Sequence, residues 1–227
     1  MQYAGERWVQ RLRDGVPPKR WPFLVGLVVV TLVGAVGLWL TVVHLDDIAQ
    51  SDARRPWSGP LLAVFLFAFG PVAAVLSWLR GRRDRRVLAR IRVHGTTPAF
   101  HLPVLQSGLH ALDDFPEPRP EMWTVDRVGL HAWSAERDDP VFDLAWGDVA
   151  SIDLASQDVR GQRTDVGIWI VTTDVGRFTL QPRPTIGRPF GASATKLHIT
   201  MEVLRSLQRE LGSGRGADRP GSRSSER

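Results

Sequence analysis

Two stretches of the chain are apolar from end to end. Phe23–Val43, FLVGLVVVTLVGAVGLWLTVV, has no charge over 21 residues, and a helix of that length covers about 31 Å, the thickness of a bilayer's hydrocarbon core. Pro60–Leu79, PLLAVFLFAFGPVAAVLSWL, is uncharged as well. The pattern predicts transmembrane helices at 22–44 and 58–79, joined by a short external loop at 45–57. The first run is too long for the apolar core of a signal peptide, and Leu45-Asp46-Asp47 comes after it where a small-x-small cleavage site would stand. Pro71 removes a backbone donor inside the second run and crowds the carbonyl of Phe67, so a kink is expected there. Neither span contains Asp, Glu, Lys or Arg, which gives a proton relay or ion path nothing to work with and disfavours a transporter or channel.

Beyond Glu121 the pattern shortens to strands separated by turn residues: Trp123–Val125, Leu130–Ser134, Val141–Ala145, Val149–Leu154, Val166–Thr173 and Phe178–Gln181. Val149, Ile152 and Leu154 read as core positions, and Val166, Ile168 and Ile170 share a face by period-two alternation. Ser156–Thr164 reads as a polar loop, and a second loop carries prolines at 182, 184 and 189. Thr195–Leu211 then has helical spacing, with Leu197, Met201, Leu204, Leu207 or Gln208, and Leu211 on one side and Gly212 as a stop. Between the spans and this domain, 80–120 divides into an arginine run and a segment without periodicity. Prolines at 98, 103, 116, 118 and 120 make His94–Pro120 an entry linker, in which Phe100–Leu112 is apolar enough to pack on the strand-rich domain. The expected class is α+β: a two-helix membrane hairpin, then a small antiparallel sheet or barrel at 121–211 closed by a C-terminal amphipathic helix.

Charge orients this arrangement. The formal net charge is +5, and basic residues gather in the N-terminal segment 1–21 (Arg7, Arg11, Arg13, Lys19, Arg20) and directly after the second span (Arg80, Arg82, Arg83, Arg85, Arg86, Arg90, Arg92). The loop has only Arg54 and Arg55, set beside Asp46, Asp47 and Asp52. The positive-inside rule therefore places both ends of the chain in the cytoplasm of a cell membrane. Trp21, Trp57 and Trp78 suit the interfacial belt, with Trp39 somewhat deep for it.

The run LRGRRDRRVLARIRV admits two readings. Its arginines hold an interfacial helix against anionic headgroups, with Val87, Leu88, Ile91 and Val93 as the apolar side, or they are a plain stop-transfer flank. Nucleic acid is not an expected partner, because no aromatic residue interleaves the arginines. Small residues also leave a choice. Ala63, Gly70, Ala74 and Ser77, with Phe67 on the same stripe, and Thr31, Gly34 and Thr41 in the first span, serve either packing of the two helices or a homo-oligomer face.

Catalytic chemistry finds little purchase. There are no cysteines, so disulfides, thiolate metal sites and a cysteine nucleophile are excluded. His44, His94, His101, His110, His131 and His198 lack metal-ligand spacing, and no phosphate-binding loop, dinucleotide fingerprint or nucleophile elbow occurs. The pairs Asp46/Asp47 and Asp138/Asp139 read as solvated charge. Trp123, Trp133, Trp146 and Trp169 read as core volume ahead of a binding platform. No cofactor or metal is expected, and no enzyme. The tail 212–227, rich in Gly, Ser and Arg, reads as disordered.

The pieces MWTVDRVGLHAW, LAWGDVASIDL and WIVTTDVGRFTL with the closing helix resemble bacterial pleckstrin-homology-like domains carried on short transmembrane hairpins. Asp126, Gly129 and Leu130 match that family's early turn, and Trp146, Asp148 and Val149 match the step into its mid-domain strand, with Gly147 departing from the usual polar residue. The resemblance covers about Glu121–Leu211 and implies a non-catalytic interaction module at the cytoplasmic face, whose partner is a protein or a membrane assembly. The alternatives are an anionic-lipid sensor or an accessory subunit of a membrane enzyme or transporter.

Overall fold

A computed structural model describes residues 6–19, 21–45, 57–109, 117–159, 161–174 and 176–212. Most of the predicted external loop (46–56), His110, Arg20 and the tail beyond Gly212 lie outside the described residues. The chain divides into two compact units, Pro18–Arg82 and a second made of Met1–Pro17 with Arg83–Arg227. The structure is α+β, with two long apolar helices, a seven-stranded antiparallel sheet and a C-terminal helix.

The first unit contains helix α2, Trp21–Val43, and the first part of helix α3, Ser58–Val93. Both are long and apolar enough to cross a membrane. Their outer sides are exposed, with Leu32 at 59% and Leu61 at 68%. The helices meet on the predicted small residues. A Cβ added to Gly34 would collide with the backbone of Phe67, and one on Gly70 would collide with the Thr31 hydroxyl. Such close approach is what small residues provide where no hydrophobic effect drives association. Thr31 and Thr41 donate their hydroxyls to the Leu27 and Gly37 carbonyls one turn back, so neither presents an unpaired hydroxyl to an apolar surround. Pro71 lies inside α3.

The second unit is built on strands β1 Phe100–Leu109, β2 Met122–Val125, β3 Gly129–Trp133, β4 Phe142–Ala145, β5 Val149–Val159, β6 Gln162–Thr172 and β7 Arg177–Pro182. Their order is β4-β3-β2-β1-β7-β6-β5. The sheet is strongly curled. In a flat sheet β4 and β7, four places apart, would be separated by about 19 Å, yet the Phe142 and Phe178 rings lie 6.2 Å apart and both pack on Trp123. Ile152, Ile168, Ile170, Phe178 and Leu180 complete this interior. Helix α4, Ala194–Gly212, buries Leu197, Met201, Leu204 and Leu207 as its spacing predicts. It also blunts the β5 edge, because Arg205 and Gln208 donate to the Ile152 and Val149 carbonyls that a neighbouring strand would otherwise bond.

The structure corrects several readings of the strand region. Phe100–Leu109, read as linker, is a strand at the middle of the sheet. Its first half pairs with β2 and its second half with β7, with the register breaking after Val104. Residues 100–104 are all buried, so the strand shows no alternation, and Pro103, which has no N–H, sits where it changes partners. Ser156–Thr164, read as a loop, continues the β5–β6 hairpin as a polar ladder that includes a Ser156–Asp165 hydrogen bond. Val166 shares less of the core face than expected, because it is the extra residue of a bulge between the pairs Ala155–Gly167 and Ser156–Asp165.

The flanks of the spans also depart from expectation. Helix α1, Arg7–Arg13, buries Val9 and Leu12 in the same core as the sheet. Val87, Leu88 and Ile91, expected to form the lipid-facing side of an interfacial helix, are buried there too, at 0%, 4% and 1% exposure. Strand β2 is accordingly buried on both faces. Trp123 and Val125 point to the curled interior. On the other face Trp133, opposite Met122, meets His94 from the end of α3, and His101, opposite Thr124, meets Leu12 from α1.

Candidate functional site

The arginine segment is the one predicted site, and the structure sorts its members by what each touches. Helix α3 runs unbroken through it, and its buried positions Asp84, Val87, Leu88 and Ile91 keep the i, i+3, i+4, i+7 spacing of one helical face. Arg82 lies over the Trp78 ring, 4.9 Å from its centroid. Arg83 donates to Glu121 at 3.2 Å. Arg90 clamps the β3–β4 connection, pairing with Asp138 at 3.0 Å and donating to the Ser134 and Arg137 carbonyls. Arg80 is half-buried, while Arg85, Arg86 and Arg92 are exposed. The seven therefore have different surroundings within the protein.

The acid within that run is the more consequential residue. Asp84 is fully buried, and so is Arg183 from the loop after β7. All five guanidinium N–H donors have acceptors: Nε donates to the Val104 carbonyl, one amino group to Asp84 and the Arg188 carbonyl, the other to Asp84 and the Glu121 carbonyl. The two contacts to the carboxylate are 2.8 and 2.9 Å, a fork-to-fork pair. Asp84 also accepts from the Gly187 backbone, where φ is +84°, a value natural to glycine. Arg183 thus fills the corner where β1 leaves β2 for β7, supplying donors to carbonyls at the break. Burying two charges costs several kcal/mol each, and only complete satisfaction of the kind seen here offsets it.

The motif residues have structural work. The Asp126 carboxylate accepts from the Val128 and Gly129 backbone and fixes the β2–β3 turn. Gly129 sits so close to Leu144 that a Cβ would strike its carbonyl. Trp146, in a short 3-10 turn, donates its indole N–H to the Asp126 carbonyl at 2.9 Å and joins the two halves of the motif. Asp148 is exposed, and it is its backbone carbonyl, bonded by Thr173, that holds the corner. Trp123 and Trp133 are core, as expected. Trp169 is only half-buried, with Arg177 lying 4.2 Å over its ring.

Two histidines carry opposite electrostatic signatures. His131 lies between Asp143, 2.6 Å from Nδ1, and Asp126, 3.1 Å from Nε2. Burial alone would lower its pKa, but the hydrogen bonds and charges of the two carboxylates outweigh burial and raise it. His101 is held below the ordinary range by burial, with the Arg92 charge acting in the same sense against its hydrogen bonds to the Leu12 and Arg13 carbonyls and the charge of Asp14. A raised pKa gives stability that is complete below the unfolded value, about 6.5, and is lost as pH rises through the folded value. A depressed histidine pKa removes stability as pH falls below about 6.5. Urea unfolding between about pH 5 and about pH 9 should show His131→Asn flattening the alkaline limb and His101→Gln the acid limb. Unchanged limbs in both variants would contradict the assignment.

Among the described residues no group of three or more His, Asp or Glu side chains is arranged to hold a metal. An open cleft of about 450 Å³ lies at the end of α4, lined by Arg127, Trp146, Gly147, Gln208, Arg209, Leu211 and Gly212. Set against protein-family models, curated proteins and solved structures, the chain matches none.

Proposed function

We propose that the protein is a membrane-anchored, pleckstrin-homology-like interaction module: α2 and the first part of α3 hold a curled-sheet domain at the cytoplasmic face, where it binds a protein partner and performs no reaction of its own. The observation that carries this reading is the shared core of α1 and the sheet. Val9 and Leu12 precede the first apolar helix, the strands come after the second, and both sets of residues pack in one unit. Two crossings return a chain to the side it left, so a hairpin anchor satisfies this packing and a single crossing does not. The arginine flanks support the cytoplasm as that side. A four-strand and a three-strand meander joined through β1 and β7, with a helix after the last strand, support the pleckstrin-homology-like part.

The experiment is fractionation of cells that express the full chain, then mild-detergent purification. The chain is expected to stay in the membrane pellet after alkaline carbonate and to co-purify with a second protein. Release by carbonate would overturn the anchor. Purification as a lone species at native abundance would overturn the interaction role.

A further inference from the structure

On the side of α3 away from the core, Arg85, Arg86, Ala89, Arg92 and Val93 are exposed, Val93 at 88%. Their spacing, i, i+1, i+4, i+7, i+8, is that of a single helical face. Arg83 and Arg90 at its margins are engaged with Glu121 and Asp138, and Asp84 is turned inward to Arg183. Among the described residues no carboxylate pairs with Arg85, Arg86 or Arg92. Like charges on one helical face repel, so this face has an excess of positive charge that no described carboxylate offsets. Its charge sits beside a small residue, Ala89, and an exposed apolar one, Val93, a mixture suited to a packed interface with arginines at its rim.

We propose that this face is the docking surface of the module and that its partner is an acidic segment of another protein. The proposal rests on the anchored-module reading and specifies the partner's chemistry. An anionic bilayer is the competing source of negative charge, and one observation weighs against it. A helix lying in the interface needs an apolar side for the lipid, and on α3 that side, Val87, Leu88 and Ile91, is already buried against the sheet. A partner protein can reach the whole face, and guanidinium forks match carboxylates in pairs.

The test places a photo-crosslinking amino acid at Ala89 in the otherwise native full-length chain, expressed in its own cells, with the same probe at exposed Asp174 as a control position. The expected result is an adduct from position 89, but not from 174, whose captured peptide carries a cluster of Asp or Glu. Its yield should fall about tenfold or more in the triple variant Arg85→Glu/Arg86→Glu/Arg92→Glu. The thermal transition of that variant in detergent should match the native one, and the milder Arg85→Gln/Arg86→Gln pair should give an intermediate yield if the triple variant misfolds. An adduct with phospholipid, an adduct whose yield ignores charge reversal, or no adduct would each overturn the proposal. Carbonate extraction of the same membranes reads the anchor separately, so loss of the adduct from a chain still in the pellet counts against the docking surface alone.

Discussion

Asp84→Ala is expected to cost the domain about 3–5 kcal/mol, because it leaves a buried guanidinium without its counter-charge. A domain has about 5–15 kcal/mol in total, so the variant should be unfolded or nearly so at growth temperature. The magnitude comes from the completeness of the site. Arg183 is committed to three carbonyls at the β1 corner and has no route to solvent once the carboxylate is gone. Arg183→Met should be costly for a different reason, since Asp84 then keeps only the Gly187 N–H and loses its counter-charge, and the Val104, Arg188 and Glu121 carbonyls each lose one donor. Both substitutions empty one site, and the double variant should therefore cost less than the sum of the singles by about 1–3 kcal/mol. Urea unfolding of the full chain in detergent measures all three. A loss below about 1 kcal/mol for Asp84→Ala would mean that water reaches the pair.

Leu12→Ala is the second large effect, with an expected loss of about 2–5 kcal/mol for a fully buried leucine. The residue stands ahead of the first apolar helix, where the sequence alone suggested only a charged leader. Its side chain is 1% exposed, and its carbonyl bonds the ring of His101. Lys19→Ala, an exposed change nearby, should move the transition by less than about 0.5 kcal/mol. For the same reason a fragment beginning at residue 95 lacks both helices that cover the outer face of β2, and it should bind a hydrophobic dye or aggregate where the full chain does not. Equal melting of the Leu12 and Lys19 variants would contradict the packing of α1.

Legibility in the sequence tracked the strength of its periodicity. The two apolar helices and α4 announced themselves by length and periodicity, β2 and β3 by the turn between them although β2 is buried on both faces, and β4 to β7 by their turns and alternation, apart from the polar end of the β5–β6 hairpin. Strand β1 did not, since burial on both faces removes alternation and Pro103 imitates a linker. The cover of the arginine segment was left open for a related reason. Val87, Leu88 and Ile91 do form an apolar stripe, but a stripe does not say whether lipid or protein covers it. The clue was Asp84, a lone acid placed in register with that stripe, where solvent or headgroups would have no use for it. Its partner Arg183 lies among prolines in a loop without any pattern, and a contact across 99 residues leaves no local trace. Asp126, Gly129 and Trp146 were found because turn chemistry is local.

The hairpin anchor and the shared core make one joint demand, that residues before α2 and residues after α3 lie on the same side of the membrane. The chain has no cysteine, so single cysteines report cleanly on it. With a membrane-impermeant maleimide on intact cells, Gly59→Cys, next to the loop between the spans, should be labelled from outside. Gln10→Cys in α1 and Asp174→Cys in the β6–β7 turn should be labelled only after the cells are opened. Labelling of Gln10→Cys and Asp174→Cys from opposite sides would contradict the shared core and the two-helix anchor together.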